Sequence, residues 1–287
     1  MNPLLKEICD FFCPIHILTL FHRKNYKSLH YPNQTVDACD RLNWARWLEN
    51  FNYLVIDKDR ISLPMSYEVS KKTKPTFPPF SNTTKNKVTI NILDIKGVSS
   101  SKSDLSKYSD LKIMAKERSP EMITLSVEEL LKWHEFRFDS TDYISVYSWD
   151  CQPYLMQTGG SHHFASAQYR SAELSESHYI TLPLEEISLD LNTIQSLLTK
   201  VALIYTSNIE ESMLLSDALD KTNINHTRVS TPYNNRESSR DIGEVFVISL
   251  QNFKHRYVAN QLKRVFDDLG ETLISQAKRP YKTWFNK

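Results

Sequence analysis

Glycine is the scarce residue of this chain: there are five in 287 residues, and two of the five are adjacent, Gly159-Gly160. Glycine loses more backbone freedom on folding than any other residue, so a pair of them in a chain this poor in glycine points to a backbone requirement: a tight turn, a left-handed residue or close approach to a ligand. The flanking residues agree with a turn. Residues 153–157 read as a strand. Residues 161–174 contain neither glycine nor proline, include three alanines, and set Phe164, Ala167 and Ser171 along one side. The predicted order is therefore strand, glycine turn, helix, with another strand at 178–182.

A turn followed by a helix aims free N–H groups and the positive end of the helix dipole at one point, which suits an anion. His162 and His163, in the first helical turn, add donors that become cationic near neutral pH and can also move a proton. Arg170 follows His163 by seven residues, two helical turns, and so shares its face. Gly159, Gly160, Ser161, His162, His163 and Arg170 are thus the candidate phosphate-binding residues, with His162 and His163 as candidate catalytic groups. If the histidines are the cations, affinity falls as pH rises from roughly 6 to 8. Asp139, Asp142 and Asp150 precede the turn, and carboxylates of this kind hold Mg²⁺ together with substrate phosphates. Asp150, nearest in sequence, is the preferred metal ligand and catalytic carboxylate.

The run Gly159-Gly160-Ser161-His162-His163-Phe164-Ala165 resembles the phosphate-binding motif of the ParB/sulfiredoxin superfamily. There, sulfiredoxins carry Gly-Gly-Cys-His-Arg-Tyr-Ala and ParB-like proteins a related Gly-x-x-Arg pattern. The likeness extends outward to a leading strand and helix at 123–133, strands at 143–148 and 154–157, and the strand at 178–182. Two departures qualify it. Ser161 stands where sulfiredoxins have the reactive cysteine, which removes support for sulfinic-acid repair, and His163 stands where an arginine is usual. The resemblance implies a ParB/sulfiredoxin-like central domain that grips phosphates, with a nucleoside triphosphate as ligand and nucleotide or DNA as partner. A DNA nuclease using His162 or His163 with a divalent metal is the alternative. A non-catalytic interaction protein with a degenerate site is a second.

The net charge of +1 conceals a division along the chain. Residues 66–120 carry eleven Lys and Arg against five Asp and Glu; residues 121–220 carry four against sixteen; residues 251–287 carry eight against three. Contacts to nucleic acid, which draw on cationic side chains, are expected from the basic flanks. The expected organisation is α+β or α/β in four parts. Residues 1–66 form a helical unit whose hairpin near 57–59 gives it a winged-helix-like order, and 67–118 a basic linker with a short strand at 88–95. Residues 119–192 form the central domain and 193–287 a small α/β layer, a candidate dimerisation unit for a homo-oligomer. Within that layer a helix is expected to run to Gly270 as its C-terminal cap. Capping-box spacings start helices at Ser126 and Ser207. No apolar run is long enough for a membrane span, no secretory signal is apparent, and the four cysteines are too scattered for a disulfide scaffold. Cys9, Cys13 and His16 would make a zinc site only with a fourth ligand such as His22 or Cys39. The better reading sets Leu5, Ile8, Cys9 and Phe12 on one stripe of an amphipathic helix over 3–12, where free cysteine packs as a small apolar residue. The expectation is a cytoplasmic protein without membrane contact.

Overall fold

In the computed structural model, which describes residues 35–38, 44–57, 60–63, 74–138, 141–231 and 243–279, the chain divides into two units. The first opens with helix α1 (Trp44–Glu49) and strands β1 (Val55–Asp57) and β2 (Arg60–Ser62). The second supplies β3 (Ser81–Asn91), β4 (Gly97–Val98), α2 (Leu111–Arg118), α3 (Val127–Lys132), α4 (Glu135–Phe138), β5 (Tyr143–Tyr147), β6 (Pro153–Met156), α5 (Ser161–Leu174) and β7 (Tyr179–Leu189). The chain then returns to the first unit for α6 (Leu191–Lys200), β8 (Val201–Tyr205), α7 (Ile209–Lys221), β9 (His226–Ser230), β10 (Glu244–Ser249), α8 (Phe253–Leu262), β11 (Asp267–Asp268) and α9 (Leu269–Ala277).

The second unit is a five-stranded mixed sheet in the order β3-β7-β5-β6-β4. β5 runs parallel to β7 and antiparallel to β6, and β4 runs parallel to β6. Helices α2, α3 and α5 cover one face, burying Leu111, Met114, Val127, Leu130, Phe164 and Ala167 against Val88, Ile90, Ile144, Val146 and Leu182. Phe164 is wholly inaccessible to solvent; trimming such a side chain to alanine costs about 3–5 kcal/mol. α5 spans the expected residues, and its buried Gln168 donates to the carbonyls of Ile92 and Ile95, pinning the helix to the turn after β3. The Ser126 capping box is formed in both directions: Glu129 N donates to Ser126 Oγ, and Ser126 N donates to Glu129 Oε2.

The basic stretch expected as a linker is structured from residue 81 onward. β3 pairs with β7 along its whole length, from Ser81 opposite Leu189 to Asn91 opposite Tyr179. Its alternating Lys and Thr face solvent, as in Lys85 paired with Glu185 at 2.7 Å, which is why it read as polar loop. Residues 36–38, at the head of the helix the sequence pattern puts over 36–51, are extended instead: Val36 N donates to the Tyr108 carbonyl, and Asp37 bridges in parallel to Val98. Gly97 permits this crossing, since a Cβ there would collide with the Val36 carbonyl.

The first unit carries a separate sheet, in the order β11-β8-β10-β9, antiparallel throughout. The C-terminal layer is therefore α+β rather than α/β, because its strands are joined without right-handed parallel crossovers. α7 and α8 bury Leu215, Leu219, Val258 and Leu262 against Ile204, Phe246 and Ile248. Gly270 does not end a helix: α8 stops at Leu262, and Gly270 lies inside α9, its N–H held by the capping carboxylate of Asp268. The Ser207 cap is displaced by one residue, with Asn208 Oδ1 accepting from Glu211 N while Ser207 donates to the Glu211 carboxylate. The hairpin β1–β2 forms as expected, but α1 and this hairpin belong to the same unit as the C-terminal sheet, where Trp47 Nε1 donates to the Ser230 carbonyl. The helix expected at 3–12 and the candidate zinc ligands Cys9, Cys13, His16, His22 and Cys39 lie outside the described residues. Among those residues no helix is long and apolar enough to cross a membrane.

Candidate functional site

β6 delivers the chain to Gln157, and the glycine turn follows. Gly160 adopts φ 86° and ψ 11°, a left-handed conformation that glycine takes without the penalty a Cβ brings. It is also the residue that caps α5, and it offers no side chain to the free N–H groups of the first turn. Phe164 N makes the first bond of the helix, to the Gly160 carbonyl. Gln157, with its amide oriented to satisfy both groups, donates to the Gly159 carbonyl and accepts from Ser161 N, each at 3.3 Å.

A serine-rich loop, residues 99–103, lies across this turn because β4 runs beside β6. Ser99 Oγ accepts from Gln157 N at 2.8 Å, Ser161 Oγ donates to Ser101 Oγ at 2.8 Å, and Ser103 Oγ meets His162 Nε2 at 2.9 Å. The same loop carries Lys102, exposed to solvent. From the end of α2 comes Arg118, exposed and anchored by donation to the Tyr108 hydroxyl. Burial pushes the His162 imidazole below its ordinary value; Arg118 and Lys102 push it further the same way, against an opposing pull from Glu121. Protonation of His162 is therefore disfavoured, which weakens the cationic role expected of it.

His163 turns to the other side and stacks on Trp133, with ring centroids 4.6 Å apart and planes 33° from parallel. Beneath the turn lies a pair of which the sequence offered only Asp142, and that as a metal ligand. His134 and Asp142 both have side chains closed to solvent, with Nδ1 and Oδ2 3.9 Å apart. His134 Nε2 sits 3.1 Å from the Gly160 carbonyl. A carbonyl only accepts, so Nε2 is the protonated nitrogen and donates to Gly160. Phe138 stacks on the imidazole from one side and Phe164 meets it edge-on.

Of the expected site residues, Gly159, Gly160, Ser161, His162 and His163 stand together. Arg170 lies on the same helix, roughly 10 Å further along its axis than His163 at 1.5 Å per residue. Asp150 lies elsewhere. It sits in the β5–β6 turn, at the end of the hairpin where Val146 pairs with Pro153, whereas the glycine turn follows the other end, where Tyr143 pairs with Met156. Roughly 20 Å of extended chain separates Pro153 from Gly159 at ~3.3 Å per residue. Both Asp150 oxygens serve the hairpin turn, Oδ1 accepting from Gln152 N and Oδ2 from the Tyr154 hydroxyl, each at 2.9 Å. Asp150 therefore does not fit Mg²⁺ at this site. The carboxylate beneath the turn is Asp142, engaged by His134 and by the Thr141 hydroxyl. Among the described residues no group of three or more His, Cys, Asp or Glu is placed to hold a metal ion, and Asp139 lies outside them.

No curated protein and no solved structure matches the chain. A family model described as a family of unknown function, DUF6685, matches residues 85–281, a stretch that takes in the glycine turn, the serine loop and the second sheet, and the chain belongs to that family.

Proposed function

We propose that this chain is a cytoplasmic phosphate-handling protein whose second unit is of the ParB/sulfiredoxin kind, and that it binds a nucleotide phosphate at the 159–163 turn. The observation that carries the reading is the left-handed Gly160 turn at the head of α5, with the serine loop that holds Lys102 bonded to Ser161 and His162. Lys102 and Arg118 are exposed and act electrostatically on His162, as does the opposing Glu121. Backbone N–H groups and the helix dipole favour an anion at that end, and guanidinium and ammonium groups match phosphate oxygens. The superfamily's arginine is missing at His163, and Arg118 offers the same chemistry from another helix. The test is a scan of nucleoside triphosphates with and without Mg²⁺ by melting temperature and by calorimetry. Binding supports the reading; absence of both a shift and a heat with every triphosphate removes it.

An unprotonated imidazole at the turn can accept a proton, which keeps nuclease chemistry as a second reading. Supercoiled plasmid incubated with and without Mg²⁺ or Mn²⁺ tests it: nicking that disappears in His162→Ala supports the reading, and plasmid intact under every condition removes it.

A further inference from the structure

Trp133 is an indole exposed to 64% that adjoins the glycine turn. A tryptophan left this open forgoes a large apolar burial. It is nonetheless oriented: His163, held by the first turn of α5, backs one face of the ring at 4.6 Å, and its position at the end of α3 follows from the capped start of that helix. Most of the indole surface is nevertheless open to solvent. The molecule thus places an oriented aromatic plane beside the turn at the head of α5, an arrangement by which proteins stack a base next to its phosphate.

The geometry points to Trp133 as a stacking platform for the nucleobase of the ligand whose phosphate is bound at the 159–163 turn. This inference rests on the nucleotide reading above and adds the residue that holds the base, a contact that inorganic phosphate or a phosphorylated sugar could not make. A base on the indole face away from His163 lies two stacking steps from it, roughly 8–10 Å at about 4–5 Å per step. That span suits a ribose with a di- or triphosphate chain, or two consecutive units of a single strand. Flat stacking accepts any base, so little preference among the bases is expected from Trp133 alone.

The test compares ATP, inorganic tripolyphosphate and a short single-stranded oligonucleotide by calorimetry on the full chain, with Trp133→Ala and Trp133→Phe. Trp133→Ala is expected to weaken ATP or the oligonucleotide roughly ten- to hundredfold, by the loss of one base stack, and to leave tripolyphosphate within about twofold. Trp133→Phe, which keeps a ring, is expected to retain most of the affinity. The arm that loses affinity tells a free nucleotide from a strand, and either sustains the platform. Equal weakening of ATP and tripolyphosphate overturns it, since Trp133 would then act only by positioning His163. Unchanged affinity for every probe overturns it while leaving the phosphate reading intact. A wild type that binds none of the three removes both.

Discussion

His134→Phe tests the pair beneath the glycine turn. The phenyl ring keeps the stack on Phe138 and Phe164 and removes two things: the donor to the Gly160 carbonyl and the partner of the Asp142 carboxylate. A buried acceptor that loses its donor costs about 1–3 kcal/mol, and that destabilisation is expected of His134→Phe; the Asp142 carboxylate keeps the Thr141 hydroxyl. Asp142→Leu added to His134→Phe removes the buried carboxylate beside the new phenyl ring, an apolar replacement of both members that is close to neutral relative to leaving one of them. The double variant is therefore expected to be no less stable than His134→Phe alone. Urea denaturation of wild type, both singles and the double, followed by tryptophan fluorescence and far-ultraviolet dichroism, yields the coupling. Strictly additive losses, or less than about 1 kcal/mol for His134→Phe, would refute the idea that the pair holds the turn as a unit.

Arg118→Ala is expected to weaken triphosphate binding about tenfold or more in calorimetry, the worth of a charged hydrogen bond, whereas Arg170→Ala should weaken it less; the reverse order would return the cationic role to Arg170. Asp150→Asn should leave any Mg²⁺ dependence of ligand binding unchanged, and its loss in that variant would put the metal back at the hairpin turn. Because the folded-state value of His162 lies below that of the free imidazole, protonation favours the unfolded chain. Its contribution to stability is present above about pH 6.5 and is lost as pH falls through the lower folded value. Denaturation at pH 7.5 and pH 5 should accordingly show a larger acid loss for wild type than for His162→Gln, and equal losses would exclude the assigned shift.

Several features of the site were legible in the residues because they depend on neighbours within one helical turn. The Gly159-Gly160 pair announces a left-handed turn, the run 161–174 has helical spacing and no breaker, and Ser126 with Glu129 closes its own capping box. Where two local solutions compete, spacing alone is ambiguous: Ser207 with Glu210 and Asn208 with Glu211 both fit a cap, and the fold selects the second. Sequence proximity also misled at Asp150, since a hairpin carries its turn to the far end of the strand from the residues that follow it.

The sequence by itself determined most elements over residues 126–182 and the point at which an anion is invited. The strand expected at 123 is a 3-10 turn, Met122–Thr124, and α4 carries no signal of its own. The tertiary structure decided which side chains attend that point. Ser103 reaches His162 across 59 residues of chain and His134 reaches Gly160 across 26, the first because β4 lies parallel to β6, the second because α3 and α4 lead into β5 beside the glycine turn. The basic segment thereby sets the serine loop that carries Lys102 against a turn belonging to the acidic one. Local periodicity carries no record of such pairings, because strand order is settled by which apolar faces bury one another, and only the folded sheet brings these segments together.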